Sequence, residues 1–543
     1  MDKKKSLLNV TVSIFFKIVL LIASLLVRRY LIKYVGNEAN GLDSLYTSVI
    51  GFLSVAELGI GSAITFCMYK PIVEGDNNKV SSLFYLFRKI YLIVGAIILV
   101  AGCVVMFFLP NLAKDYSFKT STIYLTFALM LISVVLTYCF SAETSLINAY
   151  KNNYLTTCIS SGGQVIQYIL QIIVLVTTHS FIYYMMCRIV TVIIQWVATE
   201  FATRKSYKEI IKVKPKASKE TKNEVLKQSK AMFMHKIGGV LVNTADSVII
   251  SAFIGVVILG KYSNYSTIVV ALTGTIALFF TPLTSIIGQM CVNTDKQVIR
   301  NYFNFFHLFN FILGIVFLLG YYAIIDNLVT IVFGEGLELS KPVSFVITVN
   351  YFIQFMRNAG LLFRDATGTF YNDRWKPLFE GITNVVLSIA FVYLFEYLFG
   401  PDFAVVGVIV ATIITNLTIC HVVEPHVLYK YAFNASAKSY YLKNYLFIAV
   451  FIGALFLLNF SMIKNDNQWT ELLANGFISV AYSFSISAIA IALDKNFRQH
   501  IKELFKKIKV KNSKKEINQN NSIAENNEEN AEISESNENL NNN

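Results

Sequence analysis

The sequence predicts an all-α polytopic membrane protein of about fourteen transmembrane helices, built as two six-helix lobes in parallel pseudo-twofold repeat plus a terminal helix pair. Three observations predict it. The 543 residues are 55% hydrophobic and only 15% charged, with a mean hydropathy of +0.55, more apolar surface than a water-soluble chain of this size can bury. The hydrophobic residues fall into runs of about 20, the length that crosses a bilayer as a helix. Finally, the two halves share residues at one fixed offset.

The runs lie near 11–34, 42–66, 84–109, 121–147, 155–177, 181–203, 232–254, 262–290, 304–325, 343–363, 378–399, 403–424, 442–461 and 470–493. The first follows Lys3-Lys4-Lys5 and is too long for a cleaved leader, so it reads as a span. Residues 1–203 then form an N-terminal lobe, 204–231 a basic connection, 232–426 a C-terminal lobe and 427–493 the last two helices. Residues 494–543 read as a tail, basic up to Lys515 and thereafter free of Lys and Arg. From 516 onwards it is Asn- and Glu-rich and cannot offset its ordering entropy by burial, so disorder is expected there.

Most of the 47 Lys and Arg residues fall on one side if the N-terminus is cytoplasmic, the asymmetry that orients helical membrane proteins. The densest clusters are 204–236 and 495–515, whereas the connection 326–342 carries Asp326, Glu335 and Glu338 against Lys341 alone. Both termini are therefore expected in the cytoplasm, with the net charge of +13 sorted by membrane side. No soluble basic domain exists to bind nucleic acid. The seven cysteines are scattered singly without a CxxC spacing, which speaks against a disulfide frame or a zinc site.

A shift of 219 residues sets Tyr34-Val35-Gly36 against Phe253-Ile254-Gly255, and Gly41, Ser44 and Tyr46 against Gly260, Ser263 and Tyr265. Lys17 falls on Lys236. The physical reading is a helix, a tight glycine turn on the outer side and a second helix, used once per half. Parallel six-helix repeats place substrate between the halves and alternate its access by rocking.

Ionisable residues inside spans are costly and are functional candidates by default. On the first helix Asn9, Ser13, Lys17, Ser24 and Arg28 share one face, with Lys17 and Arg28 roughly 16 Å apart along the axis. A lipid-facing helix would not carry that stripe, so it is expected to line a wet cavity. For Arg28 the alternative is snorkelling to the interface, as expected for Arg29 and Lys33. Arg188 in the sixth span and Arg357 in the tenth are further candidate cavity cations, the latter on a stripe with Asn350, Gln354 and Arg364. Arg364 and Asp365 lie at the helix end, as a gate or an anchor. Glu57 and Asp246 are the buried acids, suited to a coupling cation or to counter-charge, and the repeat places Asp246 one residue from Arg28. A cross-half Arg28–Asp246 pair, made in one conformation and broken in the other, is one expectation; a static local hydrogen-bond partner is the other. Gln164, Gln167 and Gln171 form a polar stripe that suits sugar hydroxyls or ordinary interhelical bonds. The excess of cations over acids points to an anionic substrate, because Arg and Lys suit phosphate oxygens.

Leu25 to Tyr30 with Gly36, Gly41-Leu42-Asp43-Ser44-Leu45, Glu57-Leu58-Gly59-Ile60-Gly61, Asn243 to Ser247 with Gly255, and Gly260 to Tyr265 form a recurring set of stretches. Together they resemble the polysaccharide (Wzx-type) flippases of the multidrug/oligosaccharidyl-lipid/polysaccharide exporter superfamily. The block Phe363 to Gly368 with Asp373 and Trp375 is similar to variants from Gram-positive bacteria. The resemblance implies alternating access and a polyprenyl-pyrophosphate-linked oligosaccharide as cargo, moved across the bacterial plasma membrane. It further implies a cationic central cavity for the pyrophosphate-sugar head, with membrane lipids around the chain and polysaccharide polymerases and glycosyltransferases as pathway partners. Lys17, Arg28, Arg188 and Arg357 would be the cavity cations; Arg28 lies in a matching stretch, and the others rest on placement.

A multidrug antiporter is the nearest rival, disfavoured because buried cations repel cationic cargo. A membrane polymerase or ligase would need a large catalytic outer loop, and 326–342 is short and lacks His and Cys. The His421-Val422-Val423-Glu424-Pro425-His426 cluster is not expected to bind metal, since Pro425 should disrupt the helix that would align its ligands. No nucleotide motif is present, so no cofactor is expected and transport would draw on a proton or sodium gradient or on consumption of the cargo.

Overall fold

The computed structural model describes residues 3–57, 60–213 and 244–502, with isolated positions between 215 and 240. No strand occurs among the described residues. Eleven described helices are long and apolar enough to cross a membrane. The other three expected runs take different forms. Residues 42–66 fall on α2 (Asn37–Leu53), a 3-10 turn (Ser54–Glu57) and α3 (Ile60–Glu74). Residues 343–363 fall on α14 (Lys341–Met356) and α15 (Asn358–Thr367), which break at Arg357. Of 232–254 only Val240 and the apolar helix α11 (Thr244–Ile254) are described; most of the end of the basic connection and the tail beyond 502 lie outside the described residues.

The remaining elements are α1 (Lys3–Tyr34), α4 (Asn77–Met106), α5 (Leu109–Leu112), α6 (Thr120–Thr137), α7 (Ser141–Ala149), α8 (Asn153–Thr178), α9 (Phe181–Ser206) and α10 (Lys208–Lys212). After α11 follow α12 (Val256–Asn293), α13 (Lys296–Phe333), α16 (Lys376–Phe399), α17 (Ala404–Thr415), α18 (His421–Val427), α19 (Lys438–Ser461) and α20 (Gln468–Leu493). Several helices outrun their apolar windows. Hydropathy sees only the apolar part, while α13 starts at the Asp295 cap, whose side chain accepts from Gln297 N, and stops at Gly334. The connection before α14 therefore shrinks from the expected 326–342 to residues 334–340.

The glycine turn occurs twice. Gly36 (φ +115°) and Gly255 (φ +143°) hold a conformation that side chains resist, and each lets the chain turn directly into a new helix. The two new helices, α2 and α12, then pack on each other reciprocally. A Cβ on Gly41 would lie 2.0 Å from Val256 O, and one on Gly260 would lie 2.6 Å from Asn37 O. Val256 and Gly260 are the repeat equivalents of Asn37 and Gly41, so the contact has a local twofold character.

Polar bonds close the same end of the interface, remote from the basic connection. Asn37 Nδ2 donates to Val257 O (2.8 Å) and Asn40 Nδ2 to Gly260 O (2.9 Å). Lys114 joins the halves through its backbone, donating to Ser251 O (3.1 Å) and accepting from Val256 N (3.0 Å). The last two helices pack against the second half. α20 runs along α13, and aromatic stacking of Phe352 on Phe451 (3.6 Å) and Phe311 on Phe447 (4.0 Å) seats α19.

Candidate functional site

Below the α2–α12 contact the halves part around a cavity of about 790 Å³. Its walls come from α1, α8, α11, α12, α14 and α17. From α1 it takes Lys17, Leu20, Leu21 and Ser24, one face of the predicted stripe; the side chain of Asn9 lies outside the described residues. α14 contributes Asn350, Tyr351 and Gln354, while Tyr168, Tyr262, Ser266 and Thr267 add aromatic and hydroxyl surface. Asp246 and Ser247 enter from α11, and Thr412 from α17.

The four candidate cations fare differently. Lys17 spans the gap between halves and donates to Gly274 O (2.8 Å). Arg28, one turn beyond Ser24, also crosses the interface, donating to Ser263 Oγ (2.8 Å) and Asn264 Oδ1 (3.3 Å). Among the described residues neither has a carboxylate at ion-pair distance. In this conformation Arg28 and Asp246 are unpaired with each other: Asp246 accepts from Thr412 Oγ1 (3.1 Å), and the acidic field reaching Arg28 is that of Asp43. Arg188 is neutralised, holding both oxygens of Asp43 at 2.7 and 3.0 Å.

Arg357 does not face the cavity as a free cation either. It sits at the break between α14 and α15 and donates to Glu424 (2.6 and 3.1 Å), Asn416 (2.8 Å) and Glu380 (3.4 Å). Lys376 bridges the same acids at 2.5 and 2.9 Å. Two cations and two anions thus form a neutral buried cluster. Arg364 is held between Asp365 and Asp373 (2.9 and 3.3 Å), tying the end of α15 to the turn before α16, and burial pushes the Asp373 carboxyl up despite Arg364.

The glutamine stripe also lies elsewhere. Gln164 is exposed, Gln167 accepts from Thr191 (3.2 Å) and Gln171 donates to Tyr184 O (3.3 Å), so two of the three bond α8 to α9 instead of lining the cavity. Glu57 accepts from Tyr91 and Tyr138 hydroxyls at 2.9 and 3.0 Å. A Cβ on Gly61 would meet the Tyr91 hydroxyl at 2.5 Å, which accounts for the second glycine of Glu57-Leu58-Gly59-Ile60-Gly61. The acid lines a second polar cavity of about 450 Å³ within the first half. Pro425 does not break its helix: α18 runs through it, with π-helical turns at Asn416–Cys420 and Leu428–Phe433 absorbing the lost bond. His421 is buried and bonded to Ile353 O (2.9 Å), while His426 is exposed.

One oxygen cluster was not foreseen. Asn384 is buried beside Thr412, to which its Nδ2 donates at 2.8 Å, and Ser388 is buried one turn farther along α16. Asn384 Oδ1 and Ser388 Oγ have no hydrogen-bond partner. With Asp246 and Thr412, Asn384 offers neutral and anionic oxygens of the kind that hold a hard cation. Polar residues at four-residue spacing in the run 378–399 were the available signal. Asp43, Lys376 and Glu380 were likewise missed, because each sits at a span end, where hydropathy treats charge as unremarkable.

No family model matches the chain, and no curated protein matches it. Among solved structures, the chain is similar to the lipid II flippase MurJ in an inward closed conformation, at 15% identity over 90% of this chain and 99% of that one, with a TM-score of 0.59. It is also similar to an inward-facing multidrug resistance MATE family transporter of the MOP superfamily, at 13% identity over 80% and 98%, with a TM-score of 0.58. A third similar structure is a MOP superfamily transporter from Pyrococcus furiosus with a binding pocket of reversed polarity (12%, 82% and 96%, TM-score 0.50). The chain therefore has the multi-helical membrane fold of MOP-superfamily transporters.

Proposed function

We propose that the protein is a flippase carrying a polyprenyl-pyrophosphate-linked oligosaccharide across a bacterial plasma membrane by alternating access. The observation that carries this reading is the interlobe cavity, closed at one end by the α2–α12 contact and lined by Lys17, which bonds only to a neutral carbonyl; Arg28, outside the lining and one turn beyond Ser24, likewise bonds only to neutral groups. Cations without carboxylate partners retain their attraction for pyrophosphate oxygens. Tyrosine, serine, threonine and amide side chains around them suit sugar rings and hydroxyls. Both termini and the basic connection are placed in the cytoplasm on the charge asymmetry, so the cavity faces inward. Asp246, Thr412 and Asn384 are assigned to a coupling cation, sodium or a proton. Binding at Asp246 would change charge inside the cavity and so bias the rocking equilibrium.

A cationic-drug antiporter is the second reading, favoured by Asp246 and the three tyrosines on the cavity wall. The argument against it from abundant buried cations weakens, because Arg188 and Arg357 are paired. Liposomes reconstituted with the full chain and a fluorescent polyprenyl-pyrophosphate sugar decide between them. Protein-dependent appearance of the label in the opposite leaflet supports the flippase; efflux of a cationic dye without lipid movement sinks it.

A further inference from the structure

The helix α11 presents two chemically opposite faces to two different spaces. Asp246 and Ser247 line the polar cavity. Thr244, Ala245, Val248 and Ile249, an arc of roughly 140° on the other side of the helix, line an apolar cleft of about 270 Å³. Val49, Phe52 and Leu53 of α2 form its second wall, with Val105, Leu112 and Val385 completing it. Its single polar residue, Thr244, has its hydroxyl turned back to Val240 O (2.8 Å). The cleft thus lies between the two halves and contains nothing for a polar ligand to bond. Its volume admits a short stretch of hydrocarbon and not a whole lipid.

We infer that this cleft seats the proximal hydrocarbon of the lipid whose head group enters the polar cavity, with α11 as the partition between head and chain. This rests on the flippase reading and adds a place for the part of the cargo that the cavity cannot solvate. A free bilayer chain gains little by entering, because lipid tails are as apolar as the cleft wall. A chain tethered to a head group held about one helix diameter away, roughly 10 Å, is instead delivered at high effective concentration. Because the walls belong to different halves, an occupied cleft would move with the rocking of the halves.

The test uses the full chain in liposomes with p-benzoylphenylalanine in place of Val248. The probes are a polyprenyl-pyrophosphate sugar and a bilayer of phosphatidylglycerol and phosphatidylethanolamine. Photolysis should label the polyprenyl chain about tenfold more than phospholipid, as tethering predicts, and Lys17→Gln should abolish that preference by releasing the head. Equal labelling of phospholipid, or labelling indifferent to Lys17→Gln, overturns the inference. As a second readout, Ala245→Trp should slow flipping of the long-chain probe several-fold while leaving binding of a pyrophosphate sugar without any hydrocarbon unchanged; equal weakening of that headgroup's binding overturns it. Failure of the cleft is separable from failure of the flippase reading. In the first case the unsubstituted protein still flips the long-chain probe, and in the second it does not.

Discussion

Gly41→Ala should open the closed end of the interface. The added methyl carbon would stand 2.0 Å from Val256 O and 2.9 Å from Val256 C, both backbone atoms that cannot rotate away. Relieving that overlap to van der Waals distance requires α2 and α12 to separate by more than 1 Å. Such a shift breaks the bonds that depend on the same approach: Asn37 to Val257 O, Asn40 to Gly260 O, and the Lys114–Val256 backbone bond. At about 1 kcal/mol net for each bond, the closed arrangement loses about 3 kcal/mol, or more than a hundredfold in its population relative to the alternative. The assay places a cysteine at Val256, whose side chain is buried and whose backbone bonds survive the substitution, in a protein otherwise freed of cysteine, and measures its reaction with a membrane-impermeant maleimide added from outside intact cells. Gly41→Ala should raise the labelling rate strongly, and Gly453→Ala, where the methyl meets open space, should leave it unchanged. Identical rates in the two variants, with both proteins folded in the membrane, would refute the argument that this contact is the closed gate.

Lys17→Gln should weaken binding of a pyrophosphate-sugar head by about 10- to 100-fold, the worth of one charge-assisted hydrogen bond, measured by microscale titration in detergent. Arg357→Ala leaves Glu424 buried without its bidentate partner and should destabilise the protein by about 3–5 kcal/mol, whereas removing both charges as Arg357→Met with Glu424→Leu should cost less; thermal unfolding of the three proteins compares them. Asp246→Asn should remove the dependence of transport on a sodium or proton gradient while Glu57→Gln retains it, read as flipping rate with and without the imposed gradient. Asp43→Asn should expose Arg188 to added anions, seen as sulfate protection against arginine modification that the unsubstituted protein lacks.

Much of this organisation was legible in the sequence. Apolar runs placed the helices because the bilayer demands a minimum apolar length whatever surrounds it. The two glycine turns were visible because a conformation reserved for glycine leaves the same residue at both copies of the repeat. The face of α1 that meets the cavity followed from spacing alone, since Lys17 and Ser24 must share a side of any helix. Helix breaks were less accessible. Arg357 interrupts α14–α15 without proline or glycine at that position, and Pro425 fails to interrupt α18, because π-helical turns on either side accommodate it.

The charged residues mark the boundary between the two sources of information. The sequence by itself determined that Lys17, Arg28, Arg188 and Arg357 carry charge at membrane depth, since that depends only on position along an apolar helix. Only the tertiary structure decided which of them meet a carboxylate. Arg188 meets Asp43 across 145 residues and Arg357 meets Glu424 across 67, and hydropathy registers the burden of a buried charge without naming the partner that relieves it. Partners are set by how helices from distant parts of the chain pack, and that packing leaves Lys17 and Arg28 against neutral groups at the interface of the two halves.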